Sequence, residues 1–106
     1  MNIAVICARK NSLRIKNKNF LKINKKPLIN YTIESAIKSN LFDKIIINTD
    51  SKNYKYNIKN TKIRKYLRPK SLGGSKIRVL DVLKEMIKSL EINTNDNIFV
   101  LFPTCP

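Results

Sequence analysis

Between Arg9 and Lys18 the sequence places five cations, Arg9, Lys10, Arg14, Lys16 and Lys18, with no acid among them. Asn11, Ser12 and Asn17 add small polar groups to the same stretch. Guanidinium groups grip phosphate oxygens through forked N–H donors and ammonium groups act as point charges, so such a loop can surround a triphosphate. A solvated basic loop has the same composition, and at this level the two readings stand side by side. The absence of glycine from the stretch excludes a Walker loop and a dinucleotide fingerprint. Two other positions carry comparable chemistry. Arg68, before Pro69, is either an anion contact or an exposed loop arginine. Asp50, after an apolar run, either meets a ligand or N-caps a following helix, and Asn19 can cap a turn.

These residues need elements to hold them. Ile3 to Ile6 is a continuous apolar run, as in a strand buried on both faces of a parallel sheet, and the basic stretch follows it directly. Pro27 stands where a helix would begin, with Ile29, Ile33, Ala36 and Ile37 at helical spacing up to Asn40. Ile45 to Ile47 form a second β-branched run that ends on Asn48, Thr49 and Asp50. A weaker helical pattern over Lys52 to Lys59 leads to a short strand at Ile63 to Leu67. Gly73, Gly74 and Ser75 predict a turn and an N-cap for a helix carrying Leu80, Leu83, Ile87 and Leu90, and Ile98 to Phe102 supply a last strand. The alternation predicts an α/β chain with a parallel, Rossmann-like sheet. Ligands collect at strand carboxyl ends in such sheets, so function is expected after Ile6, Ile47 and Leu101.

Composition narrows the field. The 106 residues are 42% hydrophobic, enough for one small cored domain. No run approaches the ~18 apolar residues of a membrane span, and the first strand begins almost at Met1, which predicts a cytoplasmic protein without a signal peptide. Cys7 and Cys105 lie far apart, and with no histidine present a zinc site is excluded; both read as reduced thiols. The net charge of +15 admits a nucleic-acid partner. The lysines, however, are scattered over helix surfaces without interleaved aromatics, and the Lys, Asn and Ile bias fits compositional drift.

Ala8, Arg9, Asn11, Ser12, Arg14, Ile15, Lys18 and Asn19 resemble the opening A-R-x-x-S-x-x-[IL]-x-x-K-N motif of the acylneuraminate cytidylyltransferases. Lys26 to Ile29, Tyr31 to Ile33 and Ala36 resemble that family's K-P-L-I-x-Y-T-I-x-x-A. Leu41 to Asp43, Thr49 to Ser51, Leu67 to Pro69 and Pro103, Thr104 and Pro106 resemble its L-F-D, S-T-D-S, L-R-P and P-T-S-P segments, in order. The spacing from Asn19 to Lys25 is similar to the acylneuraminate branch rather than to the enzymes of octulosonic sugar activation.

The resemblance implies a Rossmann-like nucleotidyltransferase fold, incomplete at the C-terminus, with residues 1–106 forming the N-terminal CTP-binding portion of one domain. It implies attack of a nonulosonic acid's anomeric hydroxyl on the α-phosphate of CTP, with magnesium, giving a CMP-sugar and pyrophosphate. Arg9, Arg14 and Lys18 would then serve catalysis, and Ala8, Arg9, Asn11, Ser12, Asn19 and Arg68 would bind the nucleotide. Metal ligands are expected beyond residue 106, none of the seven acids being assignable to them, and the complete protein is expected to be a homodimer. No nucleic acid or membrane partner is expected. Several positions depart from the family pattern. Leu13 replaces a lysine, Phe102 a glutamine and Cys105 a serine, and Ser75 to Val79 lack the usual hydroxyl-rich stretch, while Lys10 and Asn11 stand where glycines are common. These departures keep open a second expectation, a non-catalytic nucleotide- or polyanion-binding remnant, and on either expectation the 106 residues alone are inactive.

Overall fold

The structure, a computed structural model, describes residues 1–9, 22–23, 25–72 and 78–103. Strand β1 (Asn2–Ala8) buries Ile3, Ala4, Val5 and Ile6 almost completely, the outcome that an uninterrupted apolar run demands of a central parallel strand. A two-residue antiparallel pair follows, β2 (Lys22–Ile23) with β3 (Lys26–Pro27), joined through Lys25 at φ 66°. Helix α1 (Leu28–Ser39) starts one residue after Pro27, whose ring fixes φ at −56°. It stops at Asn40, which adopts the left-handed conformation that asparagine tolerates better than most residues. Strand β4 (Lys44–Thr49) comes next, then an irregular segment, β5 (Ile63–Leu67), a 3-10 turn (Lys70–Leu72), α2 (Val79–Ser89) and β6 (Asn97–Leu101).

The four longer strands form one sheet in the order β5-β4-β1-β6, all parallel. The chain steps outward from β1 through β4 to β5, then returns by α2 to place β6 on β1's other side. Counted along the chain, this is the order 3-2-1-4 of doubly wound folds, and the reversal falls between β1 and β6. The expected α/β, Rossmann-like architecture is present.

Alternation along the strands assigns the two faces. Ala4, Ile6 and Ala8 pack with Ile45, Ile47, Ile63 and α1's Ile29, Ile33 and Ala36, whereas Ile3, Val5 and Ile46 pack on Met86 of α2. Two expectations need correction. Lys52 to Lys59 form no helix: Tyr54 OH donates to Asn30 Oδ1 (2.6 Å), Asn30 Nδ2 to the Tyr56 carbonyl (3.3 Å) and Lys65 Nζ to the Tyr54 carbonyl (2.8 Å). Tertiary partners therefore take the groups a helical ladder would use, and Asn57 at φ 50° breaks the helical path. In α2 the buried face centres on Val82 and Met86 rather than on the stripe through Leu80 and Leu90, which are 52% and 44% exposed. Leu83 still packs at its margin.

Candidate functional site

Strand carboxyl ends gather on one side of the sheet. Ala8 is buried at the end of β1 and Arg9 follows it half-buried. Thr49 ends β4, and its Oγ1 accepts from the Ser51 amide (3.1 Å), turning the chain at once. No helix follows Asp50, so its reading as an N-cap falls; it lies half-buried at this edge. Leu101 ends β6, and Phe102 and Pro103 follow it across the switch point from the end of β1.

Arg68 continues from β5, its amide donating to the Thr49 carbonyl (2.8 Å). It is 7% exposed, which rules out an exposed loop arginine. Its Nε donates to Asn48 Oδ1 (2.9 Å) and its Nη2 to the Asn48 carbonyl (3.0 Å). Burial lowers the guanidinium's pKa, Cys7 and Asp50 act against that, and the like charge of Arg9 adds to the lowering. Arginine remains charged under such shifts. No carboxylate forms an ion pair with Arg68 among the described residues. Arg9 and Arg68 both stand at the carboxyl edge, close enough for the Arg9 charge to act on Arg68, with the Asp50 carboxylate acting on it in the opposite sense.

On the α2 face Cys7, Asn48 and Tyr66 lie side by side in register. Burial pushes the Cys7 thiol up, with Arg68 partly offsetting this. Tyr66 OH donates to both Glu85 oxygens (2.7 and 2.8 Å), closing the layer against α2. Asn48 is fully buried, and its Nδ2 has no partner.

The structure therefore brings together Ala8, Arg9 and Arg68 of the expected site. Asn11, Ser12, Arg14, Lys18 and Asn19 lie outside the described residues, as do the departures at Leu13, Ser75 to Ile77 and Cys105. Of the remaining departures, Val79 opens α2 and is 38% exposed, and Phe102 is 41% exposed at the switch point. Asp81 pairs with Arg78 (3.2 Å) on the surface of α2, as a helix-surface residue should. Sequence reasoning noted Asn48 only as the end of the Ile45 to Ile47 run and Cys7 only as a reduced thiol, giving neither a part in the site. The described residues contain no group of three or more acids or thiols able to hold a metal, and Asp50 alone among the acids stands at the carboxyl edge of β4.

The doubly wound parallel sheet, with Arg9 and Arg68 along its carboxyl edge, has a Rossmann-like nucleotidyltransferase architecture. The cytidylyltransferase family's sequence profile matches residues 3–101, and the chain belongs to that family. It is 39% identical over 95 residues to a pseudaminic acid cytidylyltransferase and UDP-2,4-diacetamido-2,4,6-trideoxy-beta-L-altropyranose hydrolase of Helicobacter pylori, covering 89% of this chain and 18% of that protein. It is 38% identical over 105 residues to an N-acylneuraminate cytidylyltransferase of Escherichia coli (98% and 24%). With a pseudaminic acid cytidylyltransferase of Campylobacter jejuni it shares 30% over 112 aligned positions (99% and 47%). The chain spans less than half the length of each of these relatives. Among the described residues no helix is long and apolar enough to cross a membrane.

Proposed function

We propose that this chain supplies the CTP-binding portion of an enzyme that transfers CMP to a nonulosonic acid. The placement of Arg9 and buried Arg68 along the carboxyl edge of a cytidylyltransferase-family sheet is the observation that supports it. In the proposed reaction the sugar's anomeric oxygen forms a bond to the α-phosphorus of CTP, the bond from that phosphorus to the bridging oxygen breaks, pyrophosphate leaves and the hydroxyl proton is released. Such a displacement depends on positioning and on charge neutralisation at the phosphoryl group. Arg9 and Arg68 have the charge and placement for that work, joined in this proposal by Arg14 and Lys18 as phosphate cations and by Ala8, Asn11, Ser12 and Asn19 around the nucleotide. Magnesium would add Lewis-acid neutralisation, with ligands drawn from outside the described residues. Cytoplasmic location and a homodimeric complete protein belong to the same proposal.

Titration calorimetry with CTP tests the reading. Arg9→Ala is expected to weaken binding about tenfold or more, one lost charge-assisted contact of ~1.5–3 kcal/mol. Lys55→Ala, on the exposed segment before β5, is expected to change it less than about twofold. Equal losses would show that diffuse charge alone attracts the nucleotide.

A second reading, nucleotide binding without turnover, draws support from the departures from the family pattern, Phe102 and Val79 among them. A pyrophosphate-release assay separates the two. The 106-residue chain with magnesium, CTP and a nonulosonic acid is expected to show no sugar-dependent release, and a longer protein containing it is expected to show release. Sugar-dependent release by the short chain would require metal ligands among Asp43, Asp50, Asp81 and Asp96.

A further inference from the structure

Asn48 is an expensive residue in its position. It is fully buried in β4, directly after three isoleucines and between Cys7 and Tyr66 in the sheet. An amide group taken from water and left without a hydrogen-bond partner is costly, and Nδ2 is left unpaired. An apolar side chain there would avoid that cost, so the residue needs a reason to be polar.

The reason lies in what Asn48 accepts. Its side-chain oxygen and its own carbonyl both bind one guanidinium, at Nε (2.9 Å) and Nη2 (3.0 Å) of Arg68. These two nitrogens form one edge of the planar group, so a two-point grip fixes both its position and its plane. Nη1 and the second Nη2 hydrogen lie away from that edge, and Nη1 donates to no described residue. An aspartate could make the same grip but would cancel the charge, whereas an asparagine orients the cation and leaves it positive. We propose that Asn48 is the positioning residue for Arg68, holding one guanidinium edge without neutralising it so that the other edge is presented to a nucleotide phosphate. The inference rests on the proposed assignment of Arg68 to the nucleotide.

The test measures CTP binding by the whole chain at low and moderate salt in six forms: wild type, Arg68→Ala, Arg68→Lys, Asn48→Ala, Asn48→Asp and the double variant Asn48→Ala/Arg68→Ala. Arg68→Ala is expected to weaken binding about tenfold or more. Asn48→Asp should approach that loss and flatten the dependence on salt, because the cation is now paired. Asn48→Ala should lose about threefold to tenfold while keeping the wild-type salt dependence. Arg68→Lys, which retains the charge but cannot be held by a fork, should resemble Asn48→Ala, and it reads the same grip if Asn48→Asp fails to fold. Adding Asn48→Ala to Arg68→Ala should cost nothing further in affinity.

A residue that merely fills the sheet would lower stability and leave the CTP affinity of the folded protein unchanged. Wild-type binding by both Asn48 variants beside a weakened Arg68→Ala would overturn the positioning role alone. So would wild-type binding by Arg68→Lys, or additive losses in the double variant. Wild-type binding by Arg68→Ala would remove the nucleotide assignment of Arg68 and this inference with it.

Discussion

Arg68 shows how a side chain's surroundings decide what it can do. A cation removed from water without an ion pair is costly, and hydrogen bonds to neutral oxygens recover part of that cost while leaving the field intact. Cys7 responds to the same surroundings in the opposite sense. Burial favours its neutral thiol, and nearby Arg68 does not fully offset this, so the folded-state pKa stands above the ordinary value. The thiolate is the reactive form. In a Cys105→Ser background, Cys7 is therefore expected to react with a disulfide reagent more slowly than free cysteine at pH 8, and to keep accelerating above pH 9 where free cysteine levels off. A plateau at or below pH 9 would contradict the buried-thiol account. By linkage, the stability that Cys7 contributes is fully present below its unfolded pKa and is lost as the pH rises through its folded value.

At the scale of elements, burial and exposure on α2 make a direct comparison. Met86 is fully buried against Ile3, Val5 and Ile46, whereas Leu80 is 52% exposed. Urea denaturation is expected to show a loss of about 2–5 kcal/mol for Met86→Ala. Leu80→Ala should stay within about 0.5 kcal/mol, and the reverse ranking would mean that α2 presents a different face to the sheet. The strands, α1 and the order of elements were legible because apolar runs and helical spacing act locally in β1, β4 and α1. The face of α2 was not legible, since Leu, Ile, Val and Met surround most of that helix and the sheet decides which of them it covers. The segment 52–59 was misread for a related reason: its carbonyls bond to Asn30 and Lys65, residues distant in sequence. Of the candidate site, Arg9 and Arg68 stood out by resemblance to the family's motifs, residue type alone leaving each open to a surface role. Asn48 did not, because its role exists only once β5 brings Arg68 beside it.

For the whole molecule, 22 basic residues against 7 acidic ones produce self-repulsion that three ion pairs among the described residues do little to offset. Screening should therefore stabilise the fold, with a melting temperature that rises between about 50 and 500 mM sodium chloride. Inorganic pyrophosphate should match that rise at a far lower concentration, since a ligand of the native state adds RT ln(1 + [L]/Kd). Equal potency of pyrophosphate and chloride at matched ionic strength would argue against a discrete anion site. The sheet order has a further consequence, for synthesis on the ribosome. Asn2 of β1 pairs with Asn97 of β6, 95 positions later. At about 5–20 residues per second, the first strand made waits roughly 5–20 s for its second neighbour. During that interval Ile3 to Ile6 are paired at most on the β4 side, with the other edge open to aggregation. Nascent chains stalled before residue 97 should accordingly depend on chaperones and be cleaved readily by protease, and those stalled with β6 fully outside the ribosome should resist.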